Sequence, residues 1–272
     1  MTSQENPAAE RFHHLHREGL LVLPNAWDAG SARLIESLGA KAIATTSAGV
    51  AWSHGFPDGD TLPWPLLRAT VADIARAVRV PVSADVEGGY SNDPAAVGET
   101  VAAVIEAGAI GINIEDGAGA PELLCAKIER AKSAGERLGV KLFVNARTDV
   151  YLRGLATNER RVEETLARAE RYRSAGADGI FVPGLADPEE IRAVAQGSPL
   201  PLNVMAWRGL PSAAELEALG VRRLSAGAGI IQAAYAKTRR LAAAFLETGA
   251  SDAVTSESKS YPEINALLTD RR

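Results

Sequence analysis

Asp85 and Glu87 stand one residue apart at the end of the run VPVSADVEGG (80–89), and two glycines follow them. In an extended chain residues two apart point the same way, so both carboxylates would share a face. Glu115 ends the run IGINIE (110–115), with Asp116 directly behind it, and Arg147 ends LFVNAR (142–147), with Asp149 two residues on. Acids gathered at one place repel and raise each other's pKa values. A divalent cation removes that conflict. Oxygen donors on few residues, with room for water, suit Mg²⁺ or Mn²⁺ rather than zinc. The chain's one cysteine and four histidines agree, since no H-x-x-x-H pair lies on a convincing helix. Arg147, with its planar fork, would clamp a substrate carboxylate. Asp116 is either part of this group or a solvated loop acid. His13 and His16 read as surface residues of an N-terminal helix. Gly88 and Gly89 allow a tight turn or a close ligand approach. Gly227 and Gly229 could cradle an anion before the last long helix, although glycine before a helix is too common to decide it.

Such residues need a frame that brings strand ends to one mouth. Eight β-rich runs (21–25, 42–46, 80–86, 110–115, 142–147, 179–184, 202–206 and 222–227) alternate with alanine-rich amphipathic stretches such as 65–79, 94–108, 126–139 and 162–176. Asp93-Pro94 and Asp187-Pro188 read as helix starts, and Gly39, Gly108, Gly139, Gly176 and Gly220 as helix stops. This alternation predicts an α/β fold, a (β/α)8 TIM-type barrel, with an open doubly wound sheet as the alternative. No G-x-G-x-x-G follows the first strand, which disfavours a dinucleotide fold. In a barrel, chemistry sits at the C-terminal ends of the strands, where these acids fall. Asp58, in the long loop after the second strand, joins them, as do Ser47 and Gly49 just beyond that strand.

The barrel is expected to span 1–248. The polar stretch from 249 leads to a C-terminal extension ending at 272, where Ser260 and Glu263 have capping-box spacing. Ile264, Leu267 and Leu268 make an apolar stripe that should dock on its own barrel or on a neighbouring subunit. A net charge of -5 with no basic stripe argues against nucleic acid. The first residues lack a signal peptide's apolar core, and no apolar stretch suggests a membrane span. With a lone Cys125, these features predict a cytoplasmic protein.

The motifs PNAWDAGSARLIESLGAKAI (24–43), TTSAGVAWSHGFPDG (45–59), PVSADVEGGY (81–90), GINIEDG (111–117), NARTDVYL (145–152) and GIFVPG (179–184) together resemble the isocitrate lyase / phosphoenolpyruvate mutase superfamily. The resemblance covers almost the whole barrel. It implies Mg²⁺ bound by Asp85, with Asp58, Glu87 and Glu115 acting through metal-bound water. It implies a small 2-oxo or 2-hydroxy acid whose carboxylate meets the backbone at Ser47, Ala48 and Gly49, and an enolate formed by breaking a bond beside the carbonyl. Arg147 would contact substrate oxygens, and Trp27 and Asn203 are further substrate-side candidates. Tyr90 and Glu115 are candidate proton carriers. Barrels of this kind associate, so a homo-oligomer, dimer or tetramer, is expected.

The chain departs from the pattern at one place. Lyase-type members carry a K-x-C-G-H loop after the fourth strand; here INIEDG runs through AGAPE into LLCAKIERAK, and Cys125 falls in a helix. Pro183 stands where those members often have glutamate. The expected activity is therefore an undemanding Mg²⁺-dependent C–C lyase or decarboxylase reaction on a small dicarboxylic acid. The alternatives are C–P mutase or hydrolase chemistry on a phosphonopyruvate-like acid, and a non-catalytic 2-oxo acid binding protein.

Overall fold

Pro24 splits the first strand in two. It has no N–H to give to a ladder, and the halves on either side of it, β1 (Leu21–Leu23) and β2 (Asn25–Ala26), turn to different neighbours. In the computed structural model, which describes residues 6–256 and 258–269, β1 pairs with the last strand and β2 with the next one. The remaining strands are β3 (Ile43–Thr45), β4 (Val82–Asp85), β5 (Gly111–Glu115), β6 (Phe143–Arg147), β7 (Gly179–Phe181), β8 (Leu202–Met205) and β9 (Arg223–Ser225). All are parallel, in the order β1-β9-β8-β7-β6-β5-β4-β3-β2. The two halves of the first strand thus close the ring, and the fold is the expected (β/α)8 barrel.

The helices are α1 (Pro7–His14), α2 (Ala29–Ser37), α3 (Ser47–Ser53), α4 (Trp64–Ala77), α5 (Pro94–Glu106), α6 (Pro121–Arg137), α7 (Arg161–Ser174), α8 (Pro188–Gly197), α9 (Ala213–Ala218), α10 (Gly229–Thr248), α11 (Asp252–Thr255) and α12 (Tyr261–Thr269). Asp93 and Asp187 cap α5 and α8 through their side chains, each with proline in the first turn. α6 starts earlier than the sequence pattern suggests, because Pro121 supplies a first-turn residue that needs no N–H partner. α3 was not expected: Ser47, Ala48 and Gly49 form its first turn rather than a loop. Apolar faces of the helices pack on the strands around Ile112, Ile114, Val144, Ile180 and Val204, all fully buried. None of the described helices is long and apolar enough to cross a membrane.

α10 leaves Tyr235, Phe245 and Leu246 exposed. α12 has the expected cap, with Ser260 N donating to Glu263 Oε2 at 2.9 Å. It returns to its own barrel against α2, where Arg33 Nε donates to Leu267 O at 3.1 Å.

Two histidines expected at the surface are buried instead. α1 lies under the N-terminal end of the barrel, and Phe12 packs edge-on against Phe143. His16 stacks on the same ring, with centroids 4.1 Å apart, and its Nδ1 donates to Phe12 O at 2.8 Å. Its Nε2 is therefore an acceptor, buried without a partner among the described residues. Burial, aided by the Arg223 guanidinium, pushes its pKa down to about 3. A histidine whose folded pKa lies below its unfolded value of 6.5 leaves stability untouched above pH 6.5. Below that pH only the unfolded chain takes the proton, so stability falls by about 1.4 kcal/mol per pH unit. Urea denaturation from pH 7 to pH 4 should show this fall, and His16→Phe should flatten it. Equal slopes in the two proteins would remove His16 as the cause.

Candidate active site

At the C-terminal mouth of the barrel lies a cavity of about 400 Å³. Ser47, Ala48, Asp58, Asp85 and Arg147 line it, as expected. Asp85 ends β4 and is held from three sides. Its N–H donates to Thr45 Oγ1 at 2.8 Å, Ser47 N donates to Oδ2 at 3.2 Å, and Glu87 N lies 3.4 Å from Oδ1. Ser47 N is one of the first-turn donors of α3 that no backbone carbonyl can satisfy. The sequence thus folds Thr45, Ser47 and Asp85 into one unit, with Ala48 beside it on the wall.

Glu87 and Tyr90 stand behind that wall. Glu87 Oε2 accepts from Gly59 N at 2.9 Å and from Asp60 N, while its Oε1 accepts from Tyr90 O–H at 3.0 Å. Tyr90 N in turn donates to Asp60 Oδ1 at 3.1 Å. Asp60, Glu87 and Tyr90 all hold positive φ, at 55°, 51° and 59°. Such backbone is costly for residues with a Cβ and persists where surroundings over-determine it. Gly89 shares the conformation, and a Cβ there would lie 2.8 Å from Val97. Gly88 is constrained by Asp60, whose Oδ2 would be 2.7 Å from a Cβ. Gly89 is thus required by the close packing of this loop, while at Gly88 only the tip of the Asp60 side chain would have to shift; the bonds from Gly59 and Asp60 to Glu87 fix the loop carrying Asp58.

Arg147 is fully engaged. Its Nη1 lies 2.6 Å from Glu115 Oε2, and its Nε and Nη2 donate to the two oxygens of Asp149 at 2.7 and 3.1 Å. Asp149 is fully buried and also accepts from Arg153. Asp116 is the second buried anchor rather than a solvated acid. It accepts from Asp149 N, Arg168 Nη1 and Tyr172 O–H at 2.9, 2.7 and 2.6 Å. The carboxylates hold excess negative charge. Burial and the Asp85 charge raise Asp58, and burial raises Glu87. Burial pushes Glu115 up to about 8, against the pull of Arg147, which it shares with Asp149.

Beneath the cavity the barrel interior is polar. Asn145 Nδ2 donates to Asn113 Oδ1 and Asn203 Oδ1 at 2.9 and 3.0 Å. Asn203 is buried in this network, a layer below the wall, with Ser225 Oγ at 3.2 Å. Arg223 gives Nη2 to Asn113 Oδ1 at 3.2 Å, while its Nε and Nη1 have no partner among the described residues. Its burial lowers its pKa to about 9, so it stays charged at neutral pH. Trp27 and Gly49 also lie off the cavity wall. A Cβ on Gly49 would be 2.7 Å from Thr46 and 3.0 Å from Trp27, so packing of α3 requires the glycine.

The wall includes residues the sequence did not single out: Asn25, Asn113, Trp207, Arg208 and Gln232. Asn25 Oδ1 accepts from Ala226 N and Gly227 N, both at 2.9 Å, and its Nδ2 donates to Thr45 O. It ties the segment before α10 to the Asp85 unit. The visible signal was an amide inside an apolar strand, repeated in GINIE, FVNAR and LNVM.

The phosphoenolpyruvate phosphomutase family model matches residues 12–246. The chain is 42% identical over 236 residues to an uncharacterised protein of Mycobacterium tuberculosis, covering 83% of this chain and 86% of that one. It is 32% identical over 233 residues to 2,3-dimethylmalate lyase of Eubacterium barkeri, covering 79% and 78%. The crystal structure of a proposed phosphonomutase from Burkholderia cenocepacia J2315 superposes with a TM-score of 0.81 at 44% identity, over 89% of this chain and all of that one. The site just described therefore belongs to a known barrel lineage of lyases and mutases: this chain is a member of the phosphoenolpyruvate phosphomutase family, within the isocitrate lyase / phosphoenolpyruvate mutase superfamily.

Proposed function

We propose that the protein is a lyase or decarboxylase that breaks a C–C bond of a small 2-oxo or 2-hydroxy dicarboxylic acid with the help of Mg²⁺ or Mn²⁺. The observation that carries this reading is the pair Asp85 and Asp58 on the cavity wall, backed by Glu87 and Glu115. Four carboxylates gather here around the single Arg147, and burial, with the Asp85 charge adding to it, raises Asp58, Glu87 and Glu115. The donor set, hard oxygens only, fits a divalent cation of the Mg²⁺ class. Among the described residues no three acidic, cysteine or histidine side chains converge on one point, so Asp85 and Asp58 would hold it with water completing the shell. When bound, such a cation polarises the 2-oxo group and draws electrons from the breaking bond.

The chain's own residues do the rest. The first-turn N–H of Ala48, on the cavity wall, would orient the carboxylate next to the reacting carbon. Arg147, fixed by Glu115 and Asp149, supplies positive charge beside Asp58 and Asp85 without needing to move. Tyr90 keeps its proton, since burial and the Glu87 charge raise its pKa, and its O–H is spent on Glu87. Neither Tyr90 nor Glu115 borders the cavity, so water entering at the mouth returns the proton to the carbon.

A second reading, phosphoryl migration on a phosphonopyruvate-like acid, is favoured by the family model itself. Against it stands the tight turn from Asp116 to Pro121, closed by Gly119 N donating to Asp116 O at 2.7 Å. It leaves no segment after β5 long enough to reach over the substrate. Proton and phosphorus NMR on a panel of 2-oxo and 2-hydroxy diacids and phosphonopyruvate, each with Mg²⁺ and with chelator, tests both. Cleavage of a diacid only with Mg²⁺ is expected. Conversion of the phosphonate alone would favour the mutase, and ligand broadening without product would favour a binding protein.

A further inference from the structure

The cavity wall carries four charged residues: Asp58, Asp85, Arg147 and Arg208. The first three form one group around the β4 and β6 ends. Arg147 has all three guanidinium nitrogens committed to Glu115 and Asp149. Arg208 is different. It sits on the segment joining β8 to α9, and it makes no hydrogen bond or ion pair with any described residue. That segment is nonetheless well fixed. Ala206 N donates to Ser225 O at 2.8 Å, and Leu210 N closes a turn onto Trp207 O at 3.1 Å. Gly209 takes the positive φ of 81° that the turn requires. Ser212 and Glu215 then lock the start of α9 with a capping box. The turn therefore holds Arg208 at the rim with an open fork, and Trp207 and Met205 beside it give the wall an apolar stretch.

A ligand fitting this wall has an acid head at one end, hydrocarbon in the middle and an anion at the other. We propose that Arg208 determines specificity by taking the second, terminal carboxylate of the substrate, while the 2-oxo or 2-hydroxy acid end lies at Ser47 and Asp85. This rests on the reading of the Asp85 end given above. A guanidinium with a free fork binds a carboxylate through two parallel hydrogen bonds and discriminates strongly against a methyl group in its place. Arg147 cannot do this without releasing Glu115 or Asp149.

The matched pair 2-oxoglutarate and 2-oxopentanoate differs only in that terminal group. Calorimetric titration with Mg²⁺ present should give the diacid at least a tenfold tighter Kd in the wild type. Arg208→Gln should erase the difference by weakening 2-oxoglutarate and leaving 2-oxopentanoate unchanged. Arg208→Lys should restore part of it. Arg208 is exposed, so neither variant disturbs the core. A preference that survives Arg208→Gln, or an equal loss for both acids, overturns the proposal while leaving the Asp85 end intact. A wild type that binds neither acid, with or without Mg²⁺, overturns the functional reading and this inference together. A 2-oxo-4-phosphonobutanoate arm, unchanged at the 2-oxo end, separates a carboxylate pocket from a general anion site: binding as tight as 2-oxoglutarate, lost in Arg208→Gln, would overturn the carboxylate assignment.

Discussion

Asp85→Ala is expected to lower kcat/KM by about a thousandfold, or ~4 kcal/mol of transition-state stabilisation, while leaving the cation-free protein no less stable. The two halves of this result come from one cause. Asp85 borders the cavity, and the Ser47 and Glu87 backbone donors aim its carboxylate, so its loss would remove a principal ligand of the proposed cation. Its charge also raises Asp58 and adds to the upward shifts of Glu87 and Glu115. Removing it relieves that repulsion. A structural carboxylate would behave the other way, losing stability together with activity. Steady-state kinetics on the cleaved acid and calorimetric melting of the chelated protein test the pair. Activity within tenfold of wild type would remove Asp85 from the centre of the site.

The largest stability effect should come from Arg147→Met. It would leave Glu115 facing Asp149, and Asp149 is fully buried. Breaking a buried pair by deleting one partner typically costs about 3–5 kcal/mol, because the other charge remains. Arg153 still reaches Asp149 at 2.9 Å, which places the expected loss near ~3 kcal/mol. For a domain of this size that is a fall in Tm of about 6–12 °C. The double variant Arg147→Met/Asp149→Asn should recover part of it, since the unpaired acid is then neutral. A single variant melting within 2 °C of wild type, an outcome below any estimate for a buried pair, would mean that water already shields Asp149.

The barrel and one half of its site were legible in the sequence for a physical reason. Strand–helix alternation has two distinct periods, and acids at the ends of apolar strands stand out against them. Asp85, Asp58, Ser47 and Arg147 were picked out by their places at or just beyond strand ends and reach the wall, and Ala48, implied by the family resemblance, joins them. The interior amides were half legible. Asn203 was expected on the substrate side, but it is an amide inside an apolar strand like Asn113 and Asn145, and that sign marks a buried hydrogen-bonded column around Arg223. The left-handed backbone at Asp60, Glu87 and Tyr90 has no signature in residue type, since it is imposed by mutual hydrogen bonds across 27 or more residues. His16 looked like a surface residue because α1 is short and polar. Only the Phe12–Phe143 contact below the barrel puts it inside. Arg208 was illegible because the direction of a loop arginine is set only by its turn.

The short turn from Asp116 to Pro121 has a stereochemical consequence. α6 begins directly after it and is pinned by Lys127, whose Nζ donates to Gly88 O at 2.6 Å. On that side of the rim no acid from a closing loop stands over the reacting carbon. For the proposed cleavage, the planar carbanion would meet water from the mouth alone. The new C–H bond would then form on the face turned to solvent, and a product whose carbon becomes a stereocentre would leave with the one handedness that the held acid end dictates.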